Sequence, residues 1–205
     1  MEIKTYPIDQ LPPLLQRCKD LGYAIFTKYN YDLNLIACRS PSREAGKFDD
    51  VFHCIYRLGD RYIEESYICT TDAGLYWLRN PSRVEGTAIL VPGQYRNVYR
   101  LDKHGGKYLA LCQRNGVVHV YRDKNRNQIL DYDPDSIQSG YFGINIHRAS
   151  AHSTQERGLT EDVGRYSAGC MVIQDRDDFD RLIALAKKQV ETLGYKNFSL
   201  TLLED

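Results

Sequence analysis

Residues 86–122 read GTAILVPGQYRNVYRLDKHGGKYLALCQRNGVVHVYR, and the spacing of their turns decides the fold. The run 86–92 ends at Pro92-Gly93, 95–101 ends before His104-Gly105-Gly106, 108–113 ends at Arg114-Asn115-Gly116, and 117–122 follows. Short runs rich in Val, Ile, Leu and Tyr read as strands, and glycine-bearing breaks between them join antiparallel neighbours. Upstream, residues 51–57 and 62–70 flank a Leu58-Gly59-Asp60-Arg61 turn and add a further hairpin. The expected architecture is a β-dominated α+β fold, built on a mixed or antiparallel sheet or a small barrel.

The flanks supply the helices. Asp9 as N-cap, Pro12 and Pro13 in the first turn and Gly22 as a stop predict a helix over 9–21, with Leu11, Leu14, Leu15, Cys18 and Leu21 on one face. Asp175 as N-cap and Gly194 as C-cap predict a C-terminal helix over 176–193, whose Phe179, Leu182, Ile183, Ala186, Val190 and Leu193 would pack on the sheet. Strands are expected over 24–27, 33–38, 144–147, 171–173 and 198–203, with loops over 39–50 and 148–166. No linker or repeat divides residues 1–205, so one domain is expected, with 1–50 as an annex and 51–205 as the β-rich core.

Composition narrows the function classes. The 27 basic residues balance 27 acidic ones, which gives no field for nucleic acid. No apolar run approaches the ~20 residues of a membrane span. The first ten residues, MEIKTYPIDQ, lack the pattern of a secretory signal, so the expectation is synthesis in the cytoplasm. The 16 tyrosines against one tryptophan suit a sheet-rich protein. Of the six cysteines, Cys38, Cys54, Cys69 and Cys112 sit in apolar runs and read as buried thiols in a reducing compartment.

Cys170 differs. It follows a Ser167-Ala168-Gly169 turn and opens an apolar run, while His147 ends the run Gly143-Ile144-Asn145-Ile146. A thiol needs a base or a positive field to become a nucleophile, and a tight turn leaves N–H groups to hold an oxyanion. The expected roles are Cys170 as nucleophile, His147 as base, Gly169 and Cys170 N–H groups as the oxyanion hole, and Ser167 as the residue that holds the turn. Arg148 and Arg165 are placed to grip a substrate carboxylate. His152, in the loop, is a second candidate base, and His53, His104 and His119 are candidates for a third member.

The order histidine, loop, Ser-x-Gly-Cys, strand resembles the L,D-transpeptidase catalytic-domain family over residues 141–173. The resemblance implies a β-rich fold and a cysteine enzyme that cuts or rejoins peptidoglycan stem peptides; made in the cytoplasm, it would act on the cell wall after release by an external route, as phage lysis enzymes do. Ala168 stands where that family has a histidine, and Val172 where it has Arg or Asn, so the chemistry falls to His147 and hydrolysis becomes as natural as transpeptidation. Two alternatives stay open: a Cys/His amidase or protease on another substrate, and an inactive phage structural or binding module. The sequence gives no oligomeric state.

Residues 122–135, RDKNRNQILDYDPD, carry a second pattern. Asp123, Asn125, Asn127 and Asp131 occupy positions one, three, five and nine of a calcium loop, with Ile129 at the carbonyl position. Gln128 replaces the turn glycine and Pro134 the bidentate glutamate, for which Asp133 or Asp135 would substitute. No cofactor is expected at Cys170, and calcium at 123–135 is the one candidate ion. A polar β-turn is the alternative reading.

Overall fold

The turn at Leu58-Gly59-Asp60-Arg61 forms as its residues dictate: β3 (Asp50–Leu58) and β4 (Arg61–Thr70) pair antiparallel with Leu58 opposite Arg61, and Gly59 supplies a φ of +62°. The computed structural model describes residues 1–42, 44–152 and 154–204. Before this hairpin come β1 (Glu2–Pro7), α1 (Pro13–Asp20) and β2 (Asn34–Arg39). After it come α2 (Leu75–Arg79), β5 (Thr87–Leu90), β6 (Gly93–His104), β7 (Tyr108–Gln113), β8 (Val118–Asp123) and β9 (Gln138–Gly140). The chain ends with β10 (Ile146–Arg148), α3 (Thr154–Arg157), β11 (Met171–Ile173), α4 (Arg176–Leu193) and β12 (Asn197–Glu204).

Eight strands close into a barrel-like sheet in the order β4-β11-β10-β7-β6-β12-β2-β3, with β3 returning to β4. Only β10–β11 and β2–β12 are parallel among its ladders. The free side of β4 is shared: β1 covers Arg61 to Ser66 and β11 covers Cys69 and Thr70. A second sheet, β5-β8-β9, packs its Ala88, Leu90, Val118 and Val120 into the barrel's main apolar cluster. Closure leaves few sheet edges to protect. No helix among the described residues is long and apolar enough to cross a membrane.

Period-two alternation distributes the core. On β2, Leu33 just before the strand, Leu35 and Ala37 join the main cluster, while Ile36 turns to Leu15 and Cys18 of α1. The helix α4 behaves as its caps predict. Asp175 accepts a bond from Asp177 N at 2.7 Å, and Gly194 closes the helix at φ +70°. Its Phe179, Leu182, Ile183 and Ala186 lie in the main cluster, against β7, β10 and β11.

Three local expectations are corrected. The N-terminal helix begins at Pro13 rather than Asp9, because a residue that precedes proline is driven out of the helical region and Pro12 accordingly stays extended at ψ 138°. Residues 24–27 form no strand: the Ala24 N–H and C=O are taken by the Gln94 side chain, and those of Phe26 by Asn34. Residues 1–50, read as an annex, contribute β2 to the barrel wall between β12 and β3.

Candidate active site

The parallel pairing of β10 with β11 sets the site. Ile146 lies opposite Met171 and His147 opposite Val172, so Asn145 and Cys170 stand at the same level just before the two strands. The link is direct: Met171 N donates to Asn145 O at 2.9 Å, and Asn145 N donates to the Cys170 sulfur at 3.4 Å. His147 is therefore one side-chain step along its strand from the cysteine.

The turn before Cys170 is held from within. The buried Ser167 hydroxyl donates to Cys170 O at 2.7 Å and accepts from Gly169 N at 3.1 Å. Gly169 sits at φ +118°, and a Cβ there would stand 2.3 Å from Ala88 O, so the second sheet presses directly on this turn. The expected oxyanion hole loses one donor as a result: the Gly169 N–H is already committed to Ser167, which leaves the Cys170 N–H as the turn's candidate.

The thiol is partly exposed, donates to Gly143 O at 3.3 Å, and is pushed by burial up to about 11. The His147 ring is buried at 4% exposure, and its Nδ1 lies 3.0 Å from Arg148 O. A carbonyl only accepts, so Nδ1 carries the proton and Nε2 keeps a lone pair. Burial, then the neighbouring His104, bring this imidazole down to about 4. Among the described residues no hydrogen bond joins the Cys170 sulfur to the His147 ring. Both partners are accordingly neutral at rest, an acid thiol beside a free base.

Of the residues that position this pair, the sequence offers His104 only as one of three candidate third members, and it does not offer Gln113. His104 stacks on His147 with centroids 4.2 Å apart, and its Nδ1 lies 3.1 Å from Asn145 Nδ2. Asn145 also accepts from Gln113 N at 2.9 Å. The Gln113 side-chain oxygen receives three successive N–H groups, from Phe142, Gly143 and Ile144, at 3.1, 2.9 and 3.2 Å. Gln113 thus fixes the segment that presents Gly143, Asn145 and His147. The sequence shows Asn145 only as part of the run that ends at His147, and nothing local marks Gln113.

His104, His147, Arg148 and Arg165 line one cleft of about 870 Å³, with Tyr108, Lys107, His152 and Tyr166. Both arginines are propped on aromatic faces: Arg148 lies 4.3 Å from the Tyr108 centroid and Arg165 3.8 Å from that of Tyr76. Cys170 does not line this cleft, whose Tyr108 phenol is raised chiefly by burial. His53 pairs with Glu64 at 3.0 Å and His119 meets Ser139, both away from the cleft. Asp72 and Gln94 serve the fold: Asp72 faces Arg39 at 3.1 Å, and Gln94 ties Ala24 to Thr201.

The 123–135 segment joins β8 to β9. Asn125 Oδ1 accepts from Asn127 N at 3.1 Å, Asn127 Oδ1 from Ile129 N at 2.8 Å, and Asp123 Oδ2 from Asp131 N at 3.2 Å. Among the described residues no three His, Cys, Asp or Glu side chains gather as a metal-binding group. No protein-family model matches this chain, and no curated protein matches it.

Proposed function

We propose that this chain is a cysteine-dependent acyl-transfer enzyme of L,D-transpeptidase type, which acts on peptides like the stem peptides of peptidoglycan. The observation that carries the reading is the parallel β10–β11 pair, which sets the Cys170 turn beside His147. The neutral imidazole is unprotonated through the physiological range, so it can take the thiol proton as sulfur attacks an amide carbonyl. Sulfur forms the new bond to carbon, the Cys170 N–H faces the developing oxyanion, and the His147 proton passes to the leaving amine. Water or a second amine then releases the acyl group. Arg148 and Arg165 suit a substrate with a carboxylate near the scissile bond.

One observation favours a second reading, a binding module without turnover: the thiol bonds to Gly143 O and Asn145 N, and burial keeps it protonated. Mass-spectrometric assay of purified muropeptides with wild type, Cys170→Ser and His147→Gln separates the two. Products that disappear in both variants support the enzyme. Unaltered muropeptides with the wild type, alongside measurable binding, support the module.

A further inference from the structure

Burying a carboxylate oxygen without a partner costs free energy, and Asp123 does so. It is 0% exposed, its Oδ2 turns into the 123–131 loop to accept from Asp131 N, and its Oδ1 is buried with no hydrogen-bond partner. The orphan oxygen sits at the first residue of a loop that places oxygen-bearing side chains at alternate positions. Asn125 donates from Nδ2 to Asp131 Oδ2, which draws positions three and nine together. Arg126 and Gln128 both adopt left-handed φ, +63° and +68°, at the cost that glycine would avoid. Leu130 anchors the loop in the cluster of Ala73, Leu78 and Ile89, while Ile129 beside it is exposed.

We propose that this loop binds one calcium ion through Asp123, Asn125, Asn127, Asp131 and the Ile129 carbonyl. These are five oxygen donors of mixed charge, and calcium takes six to eight oxygens in flexible geometry, with water completing the set. Asp133 and Asp135 line the same hollow as Asn125 and Asp131 and offset the cations Arg122 and Lys124, which also face it. The ion would displace the Asn125–Asp131 hydrogen bond and give Asp123 Oδ1 its missing partner. Magnesium, which demands near-ideal octahedral geometry, fits this set poorly. Calcium here would brace β8 and β9, hence the second sheet whose Ala88 presses on Gly169.

The test is calorimetric titration of the full chain with calcium and, separately, magnesium. Terbium emission excited through tyrosine is a second readout, since Tyr132 lies in the segment and stacks edge-on with Tyr121 at 5.6 Å. One equivalent of calcium should bind and raise the melting temperature, and Asp131→Asn should weaken it by about tenfold or more. Asn127→Ala, at an exposed position, keeps the test valid where Asp123→Asn fails to fold. No heat and no terbium emission up to ~10 mM ion would overturn the site. So would equal affinity for magnesium, or binding unchanged in both Asp131→Asn and Asn127→Ala.

Discussion

The imidazoles of His104 and His147 stack with their planes 22° apart, and Asn145 contacts the first while its strand carries the second. Two rings this close do not both hold a positive charge. Burial lowers both imidazoles, and His147, the more deeply buried, is brought down to about 4. In His104→Gln the ring should titrate higher, though not at the ordinary value, because burial is the larger cause and remains. Imidazole NMR titration checks this; an unchanged His147 midpoint would remove His104 from any electrostatic role.

The same depression makes a stability prediction. The unfolded ring binds its proton near pH 6.5 and the folded ring only near pH 4, so between those values the unfolded state holds more protons. Stability supplied by the neutral ring is present above pH 6.5 and is lost as pH falls toward 4, by about 3 kcal/mol in all. Urea melts of wild type and His147→Gln from pH 4 to 7 should differ in slope over that window, the variant being flatter. Parallel curves would mean the ring titrates alike in both states.

Burial acts on Cys170 in the opposite direction, toward about 11. Iodoacetamide labelling at this site should rise steadily with pH beyond 8.5, and His147→Ala should change it less than twofold, since no bond joins the ring to the sulfur. Labelling that persists at pH 6 and collapses in His147→Ala would instead reveal a preformed thiolate–imidazolium pair. Site-resolved mass spectrometry distinguishes these, with buried Cys54 and Cys69 as unreactive internal standards.

The hairpins and α4 were legible in the sequence because their signals are local: glycine turns such as Gly59, an Asp175 cap, a Gly194 stop. Closure was not. The parallel β10–β11 pair spans a long loop, and β1 reaches β4 from the other end of a hairpin, so no short window records either contact. Residues 24–27 failed for a related reason, since side chains of Asn34 and Gln94 satisfy a backbone that looked strand-like. At the site, His147 and Cys170 stood out through their flanking patterns. His104 was only one of three candidate third members, on a par with His53 and His119, and Gln113 was unmarked, because their roles arise only when β6, β7 and β10 meet.

Gly169 and Ala168 are neighbours with opposite tolerance. Gly169→Ala would drive a methyl against Ala88 O at a backbone angle that side chains resist, so a loss of roughly 2–4 kcal/mol is expected. Ala168 is exposed, and Ala168→Ser should stay within ~0.5 kcal/mol of wild type. Denaturant midpoints measure both. A Gly169→Ala protein as stable as wild type would mean the second sheet yields, and the turn is not clamped as described.

A buried charge pair, Arg39 and Asp72, makes the last prediction. Arg39 is 1% exposed, and its guanidinium donates to Thr71 Oγ1 and Leu90 O at 3.1 and 3.0 Å while facing Asp72 Oδ1 at 3.1 Å. Burial outweighs this attraction and holds the Asp72 carboxyl up at about 6. Removing one partner leaves the other charge stranded, so Asp72→Ala should cost roughly 3–5 kcal/mol at pH 7. Replacing both with apolar residues, Arg39→Met with Asp72→Leu, should recover most of that loss, because neither charge then needs solvation. Urea denaturation of Arg39→Met, Asp72→Leu and the double variant completes the cycle. Additive losses would show that Arg39 is held by Thr71 and Leu90 alone, and that Asp72 contributes no pairing to the barrel.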